Sequence, residues 1–261
     1  MTATLFALIG LSLAPNPDER LAQAERHFAA GVESRHDADS ARSHFAQAAQ
    51  DYDQLWQSGS RNASLAKNRA RARRLAGNLP AAIAALHEGL ALARYDRSLQ
   101  VELEEARAAV AYPHDDLAAA CRPQPLRGIG TRMSPLEAYL AAGGLWLAAC
   151  LGVARFAMTR VPGWLLGSAA CLVGLALLGG FWWQDARRQT NEHARPLILL
   201  TRECALKAGN GDSWPDRLKW RLPPGVEVRE LARRGGWIQV ELASGAAGWL
   251  PESHAIELPG G

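Results

Sequence analysis

The sequence holds few of the residues, and none of the short motifs, from which active sites are usually built. Cysteine occurs only 4 times in 261 residues, at positions 121, 150, 171 and 204, and no two have metal-ligand spacing. No glycine-rich phosphate loop follows a strand, and neither Gly-x-Ser-x-Gly nor His-Glu-x-x-His occurs. Charge of one sign is missing too. The formal net charge is +3. Met1 to Ser134 carries 16 basic and 15 acidic residues, and Pro196 to Gly261 carries 8 of each. A nucleic-acid partner would need a concentrated basic face to displace phosphate counterions, so that class is set aside. His36, Asp37, Asp39 and His44 cluster, but the histidines are not an i, i+4 pair and an aspartate there reads as a helix cap. His114-Asp115-Asp116 reads as a solvated turn after Pro113. No catalytic residue, metal or cofactor is expected.

What is abundant is apolar sequence, unevenly spread. No charged residue lies between Ala138 and Ala154, or between Val161 and Gln184. Leu136 to Ala154 and Val161 to Trp183 are each long enough to cross about 30 Å of hydrocarbon. Arg155, Arg160 and Pro162-Gly163 interrupt them. So short a connection makes the helices antiparallel and puts both flanking regions on one side of a bilayer. Gly144, Ala148 and Gly152 form one small-residue stripe and Gly163 and Gly167 another, which suits close helix approach. Trp164, Trp182 and Trp183 stand at the ends of the second run, where aromatic rings favour the interface. Arg155 and Arg160 favour a cytoplasmic turn, while Arg127, Arg132, Arg187 and Arg188 argue the other way. Near the N-terminus, Leu5 to Ala14 is too short to span and resembles the core of an export signal, with small residues at Ser12-Leu13-Ala14. That signal sets both flanking regions outside the cytoplasm.

Before the hairpin the pattern is helical. Asn16-Pro17-Asp18-Glu19 supplies a cap, a first-position proline and acids in the first turn. Helices are expected over 17–34, 39–57, 62–76, 80–94 and 97–111, paired by short turns. Ser64 to Asp96 resembles a tetratricopeptide repeat. Gly77 falls at its inter-helix glycine, Ala82 at the helix crossing and Leu86 at the large apolar position, with Gly89 and Arg94 as departures. Ala41, Phe45 and Ala48 repeat the second-helix pattern 41 residues earlier. The resemblance implies a peptide groove lined by Lys67, Asn68, Arg71 and Arg74, of which 67, 71 and 74 share a helix face. Such a face would clamp a carboxylate or acidic peptide. The alternative is a solvated basic face.

After Pro196 the period changes to two. Val226 and Val228, then Ile238, Val240 and Leu242, alternate with polar residues between Pro-Pro-Gly, Gly-Gly and Ser-Gly turns. Leu222 to Leu258 resembles the bacterial SH3-like domain. Pro224-Gly225-Val226, Gly235-Gly236-Trp237 and Gly248-Trp249-Leu250 carry its marks, while Ala208 to Trp220 departs in the first long loop. The resemblance implies a shallow aromatic groove for peptides or cell-wall fragments, with Trp214, Trp220, Trp237 and Trp249 as lining. The sequence favours Trp237 and Trp249 as half-buried core, and Trp214, beside Pro215 in a loop, as the binding residue. Cys121 and Cys204 could in principle meet.

The expected fold class is therefore multidomain. It runs as a signal-peptide-like segment (1–14), an all-α helical-repeat domain like tetratricopeptide arrays (16–112), a linker (113–134), a transmembrane hairpin (136–183) and a small all-β SH3-like barrel (196–259). This order is similar to the BatE type of bacterial aerotolerance-operon protein. The resemblance implies a non-enzymatic, two-pass scaffold of the bacterial inner membrane, with both domains on the periplasmic side. Its partners would be proteins with von Willebrand factor A domains and a MoxR-type ATPase system. The competing expectation is a sensor or module that binds peptidoglycan.

Overall fold

The computed structural model describes residues 16–123, 135–193 and 195–259. The signal-like segment and part of the expected linker lie outside them. Two compact units meet in sequence at Asn78 and Leu79, inside the stretch that resembles a tetratricopeptide repeat.

The first unit holds α1 (Pro17–Glu33), α2 (Ala38–Gln57) and α3 (Ala63–Leu75). Local chemistry explains their bounds. The Asn16, Asp37 and Asn62 side chains each accept a hydrogen bond from the first turn that they precede, satisfying donors that the helix cannot. Asp37 is thus a cap. At the end of α3, Gly77 takes φ +86° and its N–H and that of Asn78 close back on Arg74 and Arg73, a left-handed stop that favours glycine. α1 and α2 pack through Gly31, where a Cβ would lie 2.8 Å from the Phe45 ring. Ala41, Phe45, Ala48, Tyr52, Leu55 and Trp56 form the buried face of α2.

The second unit begins with α4 (Leu79–Leu92), α5 (Arg97–Ala108) and α6 (Asp115–Cys121). α6 falls where a linker was expected, and it buries Leu117, Ala118 and Cys121. Next come α7 (Pro135–Thr159) and α8 (Gly163–His193), which pack against each other. Both contain spans long and apolar enough to cross a membrane, and only 11% and 6% of those apolar windows are buried. That exposure separates them from the core helices of a water-soluble fold, which hide their apolar surface. Arg155 lies within α7 instead of the turn. The break is Arg160 to Pro162, with Arg160 at φ +57°. Of the small residues expected at the crossing, Gly152 meets the Ser168 side chain and the Trp164 carbonyl. Gly144, Gly163 and Gly167 have nothing where a Cβ would be. Ser168, inside α8, donates to the carbonyls of Ala149 and Trp164 at 3.1 and 3.0 Å, so its hydroxyl is satisfied in apolar surroundings.

The unit ends in five antiparallel strands: β1 (Leu197–Leu200), β2 (Glu227–Arg234), β3 (Trp237–Glu241), β4 (Ala247–Pro251) and β5 (Ala255–Glu257). Their order is β4-β3-β2-β1-β5. The ladder is open, with β4 and β5 at its edges, and does not close into the expected barrel. The segment before the long loop partly covers one edge. Lys207 pairs with Trp249 through reciprocal 2.8 Å backbone bonds, and Leu206 packs onto Gly248. Ile198, Leu206, Leu222, Val226, Val228, Ile238, Val240 and Leu250 are buried to 2% exposure or less and make the sheet's apolar core. All four cysteines are free.

Candidate functional site

The four tryptophans divide. In β3 and β4, burial alternates so that Ile238, Val240, Gly248 and Leu250 face the core. Trp237 pairs with Pro251, and Gln239 with Trp249. The period of two then places Trp237 and Trp249 together on the opposite, half-exposed face, as diagonal neighbours. Both rings are half-buried. Lys207 extends this face beside Trp249 and bonds Asp216 at 2.7 Å. Trp214 sits in the loop beyond, its ring 2.5 Å from where a Gly209 Cβ would be, and remains 51% exposed. Only glycine at 209 admits that ring. Trp220 is covered on one side. His114, at the start of α6, stacks on it with centroids 5.5 Å apart, and the Lys219 ammonium lies 5.2 Å from the same ring. The turn His114-Asp115-Asp116 is exposed, as expected, and the His114 side chain remains 51% exposed while it stacks on Trp220.

The expected groove residues Lys67, Asn68, Arg71 and Arg74 all lie on α3; Arg71 is exposed and the other three are half-buried. Lys67, Arg71 and Arg74 are each engaged in interactions. The remaining arginines of α3 turn to α2. Asp53 accepts from Arg69 Nε at 2.8 Å and from Arg73 Nη2 at 2.7 Å, and the Arg69 guanidinium lies 4.5 Å from the Trp56 ring centroid. This ties α3 to α2 by charge and by cation–π attraction.

Sequence reasoning missed the most perturbed carboxylic acid among the described residues. The Glu227 side chain is 2% exposed. Its Oε2 accepts from Arg107 Nη2 at 2.6 Å, and its Oε1 from Arg107 Nε at 3.0 Å. His87 Nε2 lies 3.3 Å from Oε1. Burial by itself would raise the carboxyl. The hydrogen bonds from His87 and Arg107, with the arginine's charge, outweigh it and hold the group down at about 2. Burial would lower Arg107, but the bond and charge of Glu227, with Glu104 at 2.9 Å, leave it raised. Read from sequence, Glu227 was one of the polar residues alternating with Val226 and Val228. The only signal available was an acid between two strand valines, and that pattern fits a solvent-facing position equally well.

Burial also pushes the Cys121 thiol up to about 11 and Cys204 up to about 12, which makes both poor nucleophiles. Among the described residues, no group of three or more His, Cys, Asp or Glu side chains is placed to hold a metal ion. The chain thus offers a half-exposed aromatic face with adjacent charge and a strongly perturbed but saturated buried carboxylate. No family model matches the chain, and no curated protein or solved structure matches it.

Proposed function

We propose that this protein is a two-pass membrane scaffold that docks protein partners through its soluble regions. The carrying observation is the face shared by Trp237 and Trp249, which leaves two large amphipathic rings half-exposed beside a Lys207–Asp216 pair. Rigid aromatic surface with flanking charge suits a peptide or protein partner, because it is ordered at low entropic cost. The mostly unburied α7–α8 pair supports a bilayer as the surroundings of that face. α4 to α6 precede the hairpin and pack with the sheet that follows it, which supports a reading with both ends of the hairpin on one side of the membrane. The export-like N-terminus favours the extracytoplasmic side of a bacterial inner membrane. The sheet order and the Leu206 segment resemble an SH3-like domain left open, and the α1–α5 succession resembles tetratricopeptide repeats. By that resemblance and the likeness to the BatE type, the partners are von Willebrand factor A domain proteins and a MoxR-type ATPase system, with α3 offering Lys67, Asn68, Arg71 and Arg74 to an acidic tail.

The test is affinity capture of the full chain from detergent-solubilised membranes, read by quantitative mass spectrometry. The same membrane proteins should co-purify in repeated captures and fall at least about tenfold in W237A/W249A. Charge reversal at Arg71 and Arg74 reports separately on α3. If capture is unchanged in both variants, the scaffold reading fails. Sedimentation of the full chain with isolated cell-wall sacculi, lost in W214A, would instead favour peptidoglycan as the ligand.

A further inference from the structure

Antiparallel sheets in small domains commonly leave one face to water. β1 and β2 do not. Val228 points to the sheet core, so its neighbour Glu227 points the other way, and Leu199, paired with Glu227 in register, points with it. Leu199 is fully buried and the Glu227 side chain is 2% exposed. The second face is covered by helices that precede the hairpin. Glu227 is gripped by His87 of α4 and Arg107 of α5. Gly225, at φ +94°, lies so close that a Cβ would be 3.1 Å from Val110 and 3.5 Å from Ile83. The Ser244 N–H donates to the Ala120 carbonyl of α6 at 3.0 Å, and Trp220 stacks on His114. The contacts come from a strand, three separate turns or loops and all three helices. Ile83, Leu99, Val110, Leu117 and Cys121, on the helical side, are 5% exposed or less.

We infer that α4 to α6 and the sheet are one domain built from two stretches of chain, 79–123 and 197–259, with the membrane hairpin inserted between them and Glu227 as the clasp. The helices before the hairpin are held to the sheet after it by packing and a buried ion pair, independently of the covalent path through the bilayer. An isolated sheet fragment beginning at Pro196 would lose the cover of β1 and β2 and leave the Glu227 carboxylate without its cations, a costly state.

The experiment uses the full chain in nanodiscs of phosphatidylethanolamine and phosphatidylglycerol, tagged after Gly261, with a site-specific protease sequence inserted between Pro123 and Pro135. After cleavage the N-terminal fragment should stay on the tagged disc. In Glu227→Arg it should leave at least about tenfold faster, as expected when a buried charge loses its partner. Release of the wild-type fragment on cleavage, or equal release rates in the variant, would overturn the inference. Should the arginine variant fail to fold, hydrogen exchange on uncut Glu227→Gln decides. Faster exchange in α4 and α5 together with β1 and β2 supports one domain; a change confined to β1 and β2 refutes it.

Discussion

Replacing Glu227 by glutamine removes one charge and almost no volume. The carboxyl has an ordinary value of 4.5 and is held at about 2 in the fold. That difference corresponds to about 3 kcal/mol of stability at neutral pH. Because the folded value is depressed, the contribution is complete above the unfolded value and is lost as pH falls through the folded one. It should be about 3 kcal/mol at pH 7, about 2 at pH 3.5 and about 1 at pH 2.5. The glutamine chain lacks this term throughout. Arg107 keeps Glu104 at 2.9 Å, which argues for the low end of the 3–5 kcal/mol range for broken buried pairs. The assay is urea unfolding of both chains in the same detergent, followed by circular dichroism at several pH values. The gap between the two curves should narrow steadily below about pH 4.5. A gap under about 1 kcal/mol at pH 7, or one that stays constant down to pH 2.5, would refute the reasoning.

Gly225→Ala combines a positive φ of 94° with a Cβ 3.1 Å from Val110; a loss of about 1–3 kcal/mol is expected in the same urea assay. Cys121 and Cys204 are buried with raised thiol values, so maleimide should modify both far more slowly in the folded protein than in guanidinium at the same pH, as peptide mapping would show. In a chain lacking the native cysteines of the hairpin, Leu145→Cys with Gly174→Cys should be joined by a short bifunctional thiol reagent, because the Leu145 Cδ1 lies 3.5 Å from the Gly174 Cβ position. Adding Gly152→Leu should suppress the cross-link by driving a bulky side chain into Ser168. Asp53→Asn should weaken the anchoring of Arg69 and Arg73 and raise hydrogen exchange in α2 and α3.

Some elements could be read directly from local chemistry. Asn16-Pro17 announces α1 within its own turn, and Gly77 announces the end of α3. The hairpin was legible because an uncharged run needs no partner to be recognised. α6 was not, since seven residues with Leu117 and Cys121 as its large apolar contacts show no helical period of their own and gain order by docking. Arg155 was read as a breaker, yet a single long cationic side chain near a span's end can continue the helix and reach the interface; it lies 5.9 Å from the Trp164 ring. The split among tryptophans followed register, which sequence does not fix. Trp237 and Trp249 share a face through their pairing with Pro251 and Gln239, while Trp220 is claimed by a histidine more than a hundred positions earlier. Glu227 was silent for the same reason, because it is explained by His87 and Arg107, far away in sequence.

α8 does not stop where its apolar stretch ends. The part apolar enough to span reaches Gln184 and the helix continues to His193, about 13 Å further at about 1.5 Å per residue. β1 begins only at Leu197. In the two-pass reading proposed above, thinning or thickening of the bilayer would change the tilt of α8 and, with it, how far these last helical turns stand clear of the hydrocarbon.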